Sequence, residues 1–214
     1  MKKSNEIILV GAFSEMIELC TSCGYSIVGY IDNQVVPNEC GIGTYLGTDN
    51  DIVSIFKKYG NIPVVISPDL PKLRKKLFEK YREVGFKFQT VVSPEAHISP
   101  SSKIGLGAVI QCGAHVSANS SIGNFVKLNV NANVMHDSVV GDFTTIAPNA
   151  VVLGKINIGS LSYIGANATI LPYCKIGDNV TVGAGAVVTK DILSNQIAKG
   201  VPAQCRAVTL MEES

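Results

Sequence analysis

Between Ile122 and Val152 the chain reads IGNFVKLNVNANVMHDSVVGDFTTIAPNAVV, and every sixth residue (Ile122, Leu128, Val134, Val140, Ile146, Val152) is aliphatic. The same spacing runs without a slip from Ile98 to Val188. A helix repeats its apolar positions at about 3.6 residues and a strand at 2, so neither produces this pattern. A period of six sustained this far predicts a parallel β-helix. Each side of a triangular coil contributes one inward aliphatic plug, and three sides make a coil of about 18 residues.

The other positions of the hexad agree. Four residues after a plug stands a small side chain, as at Ser102, Ala114, Ala132, Ser138 and Ala168, with Ile156 the bulky exception. Little room is left there near a corner, where a large side chain would meet the coils above and below. Three residues after a plug the chain favours Gly107, Gly113, Asn119, Asn131, Asp137 and Asn149. These residue types enter the left-handed backbone region at least cost and so turn corners. Asn131, Asn149 and Asn167 share one column and are expected to stack as a structural amide ladder.

The 214 residues leave space for a second, smaller unit, and 46% hydrophobic against 16% charged residues is a globular composition. Eighteen Lys and Arg oppose 17 Asp and Glu, which gives no bulk attraction to nucleic acid. No apolar run approaches the roughly 20 residues of a membrane span, and Met1 to Glu6 leads into a strand rather than a signal peptide. A cytoplasmic protein without membrane insertion is expected. Six spread cysteines fit reduced thiols. Cys20 and Cys23, on a predicted helix, read as packing rather than as a zinc or redox pair.

Ahead of the hexads the pattern is α/β. Ile7 to Val10 predicts a strand, Gly11 a turn, Ser14 to Cys23 a helix, and Ile27 to Ile31 a second strand ending at Asp32. After a turn-rich stretch around Gly41, Gly43 and Gly47, a third strand is expected over Val64 to Ser67. A basic helix follows from Leu70 to Val84, with Leu73, Leu77, Phe78 and Tyr81 inward and Lys72, Arg74, Lys75 and Lys76 solvated. Phe88 to Val92 is expected as the fourth strand. The reading is a small Rossmann-like parallel sheet over 1–92, a β-helix over 93–200 and a tail over 201–214. Ligands of such sheets sit beyond the carboxyl ends of the strands, where Gly11 and Asp32 stand. The Gly-x-Gly-x-x-Gly fingerprint is missing, and Glu15 would repel phosphate.

There are three histidines. His97 and His115 fall 18 apart in one column. His136 is flanked in its own column by Gly154 and Ala118, whose small size would leave room for two substrates, and Asp137 follows it and could hold the imidazole.

The segment Asn129 to Asp142 with Ile146-Ala147-Pro148, and the close Val182 to Asp191 with Lys199-Gly200-Val201-Pro202-Ala203, resemble the bacterial sugar acetyltransferases. That family includes the sialic acid O-acetyltransferases and the UDP-bacillosamine and GDP-perosamine N-acetyltransferases. The resemblance implies a left-handed β-helix, a homotrimer with sites between adjacent chains, acetyl-CoA as co-substrate and no metal. It makes His136 the general base and Asp137 its acidic neighbour. Gly154, Ala166 and Ala184 match positions that pack the pantetheine arm, while Lys190, Lys199 and Arg206 could meet the CoA phosphates. Thr145 stands where the family has a second His. The nucleotide-sugar substrate falls to Gly11, Ser14, Asp32, Asn33 and Ser67. The expected function is acetyl transfer to the amine of a nucleotide-linked sugar for surface glycan synthesis. Three alternatives are a sugar O-acetyltransferase, a catalytically silent binding homologue, and a zinc hydration enzyme using His97, His115 and His136.

Overall fold

The computed structural model describes residues 5–34 and 43–207; the turn expected at Gly41 and residues 208–214 of the expected tail lie outside them. The N-terminal unit runs β1 (Glu6–Val10), α1 (Ser14–Ser22), β2 (Ser26–Ile31), β3 (Thr44–Gly47), α2 (Ile52–Tyr59), β4 (Val64–Ile66) and α3 (Pro71–Val84). Its strands lie parallel in the order β3-β2-β1-β4. Sequence reading passed over β3 and α2. The strand is only Thr44-Tyr45-Leu46-Gly47, and the helix commits just Ile52 and Ile55 to full burial, too little for a periodic signal.

The expected fourth strand divides. Phe88 makes one bridge to Val64, but Val91–Val92 pairs with Val109–Ile110 and so begins the next unit. Helix α3 keeps Leu77, Phe78 and Tyr81 inward as expected but exchanges Leu73 for Arg74. Its buried stripe is Arg74, Leu77 and Tyr81, while Leu73 is 40% exposed.

From Val91 onward the chain winds as a left-handed parallel β-helix with three flat faces. Two-residue strands pair with those 18 positions on: Lys127–Leu128 with Thr145–Ile146, Asn133–Val134 with Val151–Val152, Val139–Val140 with Asn157–Ile158. The plugs from Ile110 to Val188 are buried in one core together with the bulky corner residue Ile156, and only the plugs Ile98 and Ile104 of the first coil are half-buried. Gly141 is demanded by this stacking, since a Cβ there would come within 2.6 Å of the Gly159 backbone. Beyond the hexads, Gln196–Lys199 extends one sheet and Gln204–Ala207 pairs back on it antiparallel. The boundary expected at 200 therefore falls inside a hairpin.

Every corner from Gly107 to Gly185 carries a positive φ, as the Gly, Asn and Asp pattern implied, and among them are also Phe125, Phe143, Lys155, Leu161 and Tyr173. A left-handed residue with a Cβ costs about 1–2 kcal/mol. Phe125 and Phe143 stack in parallel at 5.2 Å, and Phe78 of α3 lies 4.5 and 5.6 Å from them. Burying a Phe contributes about 1.5–3 kcal/mol and an aromatic pair about 0.5–1.5 more, so packing outweighs the strain. The amide ladder appears elsewhere than expected. Side chains link neighbouring coils at Asn119–Asp137, Asn124–Asp142 and Asn179–Asn195.

The two units are joined through Arg74, expected on the solvated face and in fact 1% exposed. Its Nε donates to Phe125 O, Nη1 to Pro68 O and Asp69 O, and Nη2 to Phe143 O, Thr144 O and Thr145 Oγ1. Burial brings the guanidinium down to about 10, opposed by Asp69, which leaves it charged at neutral pH. Among the described residues no helix is long and apolar enough to cross a membrane. Arg74→Ala strands those carbonyls and should lower stability by about 3–5 kcal/mol in urea unfolding. The exposed Lys75→Ala should stay within about 0.5 kcal/mol.

Candidate active site

His136 and Asp137 stand on the corner between the face that holds Asn133–Val134 and the face that holds Val139–Val140. His136 Nδ1 lies 2.9 Å from Asp137 Oδ2, and both side chains face solvent. A carboxylate only accepts, so Nδ1 carries the proton and Nε2 keeps an open lone pair. Asp137 Oδ1 accepts from Asn119 Nδ2 at 3.2 Å. The hydrogen bond from His136, then that from Asn119, holds the Asp137 carboxyl below its ordinary 3.8.

Gly154 serves this ring. A Cβ there would come within 2.7 Å of His136 Cε1 and Nε2. The space beside the base in its column, expected to admit substrates, is on this side filled by the imidazole itself. His97 and His115 stack at 4.7 Å on a flat face away from that corner, so the three histidines do not converge within the chain.

A cleft of about 490 Å³ opens where the N-terminal unit meets the β-helix, lined by Phe13, Ser14, Glu15, Met16, Ser67, Pro68, Asp69, Leu70, Leu73 and Lys127. Of the expected substrate residues, Gly11 forms the turn above it at φ 87°, and Ser14 lies exposed at the start of α1. Asp32 Oδ2 accepts from Ala12 N at 3.1 Å and so ties the loop down, with Asn33 exposed beside it. Ser67 departs from expectation. It is fully buried, and its hydroxyl is shared between Val10 O and Gly11 O at 2.9 and 2.8 Å, so the hydroxyl braces the turn at the edge of the cleft.

Thr145 is likewise corrected. It is fully buried, its hydroxyl donates to Asp69 O at 2.7 Å and accepts from Arg74, so it fastens the interface of the two units rather than a cofactor. Sequence reasoning missed Lys127 and Asp69. Lys127 is buried, 2.7 Å from Asp69 Oδ1 and 2.8 Å from Ser67 O, and burial lowers its pKa against the pull of Asp69. One signal was available: Lys127 shares an outward column with Val109 and Thr145, a face whose other members are uncharged.

Ala166 and Ala184 lie on a different corner, at the opposite edge of the Asn133–Val134 face. Ala166 O accepts from Gly185 N, and Lys199 rests against Gly183 one residue before Ala184. Lys190, Lys199 and Arg206 are exposed. Farther along that corner a cavity of about 270 Å³ is bounded by Glu15, Glu18 and Glu95 together with Cys112 and Val130. Within one chain, then, His136, Asp137 and Gly154 are together, and the alanines are a face away.

The model of the bacterial transferase hexapeptide family (six repeats) matches residues 155–190. No curated protein matches the chain. Among solved structures it is similar to a variant of GDP-perosamine N-acetyl transferase from Caulobacter crescentus in complex with CoA and GDP-perosamine. That pair is 26% identical over 95% of this chain and 97% of the other, with a TM-score of 0.88. The acetyltransferase domain of PglB from Neisseria gonorrhoeae FA1090, in complex with acetyl coenzyme A, is 29% identical over 94% and 99%, with a TM-score of 0.87. WeeI from Acinetobacter baumannii AYE is 28% identical over 94% and 99%, with a TM-score of 0.83. A Gly154→Ala chain should fold normally but displace the imidazole, and the Asp137 carboxyl, titrated by ¹³C NMR, should then move up toward 3.8.

Proposed function

We propose that this chain, which belongs with the hexapeptide-repeat acyltransferases of nucleotide sugars, transfers the acetyl group of acetyl-CoA to the amine of a nucleotide-linked amino sugar. The observation that carries the reading is His136, its Nδ1 pinned to Asp137 and its Nε2 open, in a fold shared with acetyltransferases solved with CoA and such a sugar. As the amine attacks the thioester carbonyl, Nε2 takes its proton and Asp137 stabilises the imidazolium that forms. Collapse of the tetrahedral adduct breaks the carbon–sulfur bond, and the CoA sulfur leaves as a thiol with the proton returned from the His136 imidazolium, which restores the neutral ring. The acidic lining of Glu15, Glu18 and Glu95 draws in an amino sugar as its ammonium, which favours an amine over a hydroxyl acceptor, and the ammonium loses a proton before the amine attacks.

Three chains complete the site in this reading. One face of the β-helix is covered by the N-terminal unit, where Val109, Lys127 and Thr145 are buried, and a second carries the exposed Lys103, Asn157 and Lys175. The third offers Met135, Val151, Leu153, Leu171 and Val187, all half-buried. Packing that apolar face around a three-fold axis brings its two edges together between neighbours. His136 of one chain then meets the Ala166–Ala184 corner of the next, where pantetheine would run toward Lys190 and Lys199. Residues 1–92 hold the nucleotide sugar, with Gly11, Ser14, Asp32 and Asn33 nearest to it, and residues 93–200 perform the transfer. The described cysteines are free thiols, which fits the cytoplasm where both substrates are made.

With acetyl-CoA and a panel of GDP- and UDP-linked amino sugars, thiol release should be seen, and His136→Ala should cut kcat about a hundredfold to ten-thousandfold. Full rate in that variant refutes the base. Light scattering should give a particle of three times 22.7 kDa.

A further inference from the structure

Both carboxylate oxygens of Asp137 are in use, and each has a different partner. Oδ2 holds His136 Nδ1 at 2.9 Å, and Oδ1 accepts the amide of Asn119 at 3.2 Å. Asn119 stands one coil earlier on the same corner, and the two residues share a left-handed backbone, each with φ 58°. Stacked in one conformation, their side chains leave the main chain in parallel, which is what lets an amide reach along the column to a carboxylate. Asn119 is itself anchored. Its N–H donates to Ser101 Oγ at 3.0 Å, and that hydroxyl lies 3.1 Å from Ser99 Oγ.

One coil later in the same column is Lys155, close enough to stabilise the Asp137 carboxylate. An ammonium and a ring N–H therefore compete for one exposed side chain. A carboxylate free to rotate would divide its time between the ammonium and the imidazole, and the imidazole would lose its fixed tautomer for that fraction. We propose that Asn119 is a positioning residue: by holding Oδ1 it aims Oδ2 at His136 against the pull of Lys155. This rests on the reading of His136 as the general base.

Asn119→Gly removes the amide and keeps a residue at ease with positive φ. Wild-type protein should show His136 protonated at Nδ1 in long-range ¹H–¹⁵N spectra, and Asn119→Gly should shift that signal toward the Nε2–H form. Kinetically kcat should fall about tenfold, the size of one charge-assisted hydrogen bond, with both KM values unchanged. Adding Lys155→Ala should recover part of both losses. In an Asp137→Ala background Asn119→Gly should cost nothing more. An unaltered tautomer and kcat in Asn119→Gly, or an equal loss without Asp137, overturns the proposal. His136→Ala at full rate overturns the base instead, and the tautomer spectra still decide the role of Asn119.

Discussion

A guanidinium sealed from water must have its donors met by acceptors, and that requirement at Arg74 sets the geometry of the whole chain. Removing one charge from solvent costs several kcal/mol unless hydrogen bonds replace the lost hydration. Here the acceptors come from two sources: the loop after β4, through Pro68 and Asp69, and two successive coils, through Phe125 and Phe143 to Thr145. A left-handed corner residue presents the carbonyls that α3 needs. The orientation of the N-terminal unit, and with it the cleft over Lys127 and Asp69, follows from that single seat.

Once the units are locked, the three faces of the prism differ. One is spent on the N-terminal unit and one is mostly polar, which leaves the face of Met135, Leu153 and Leu171, half-buried and largely apolar over its later coils, with His97 and His115 on its first two. His136 stands on one edge of that face and the small alanines on the other. Both edges are built by ordinary hexad rules with small departures: His136 after Met135, Gly154 beneath the ring, Asp137 in a corner position that favours Asp anyway.

The β-helix was legible because the period of six is written in side chains that touch only their own coil and the next. His136, Asp137 and Gly154 were legible for the same reason, since register at 18 residues predicts their neighbours. What escaped depends on contact between units. Arg74 looks solvated among Lys72, Lys75 and Lys76, and only the phase of Leu77 and Tyr81 carried upstream reveals it as inward. Thr145 is a plausible ligand hydroxyl until the docked units consume it, and Ser67 until the turn at Gly11 takes its hydroxyl. The left-handed Phe125 and Phe143 break the Gly, Asn and Asp rule of corners, and their compensation is Phe78, far away in sequence.

Because the coils stack at the strand spacing of about 4.8 Å, the prism is a ruler graduated in whole turns. His136 and the Lys199 hairpin stand at different heights along it. Deleting or inserting one complete turn between them would alter the length available to an extended ligand by one graduation, with every plug, glycine and corner still in register. Reach along the groove can thus drift independently of the chemistry at either end.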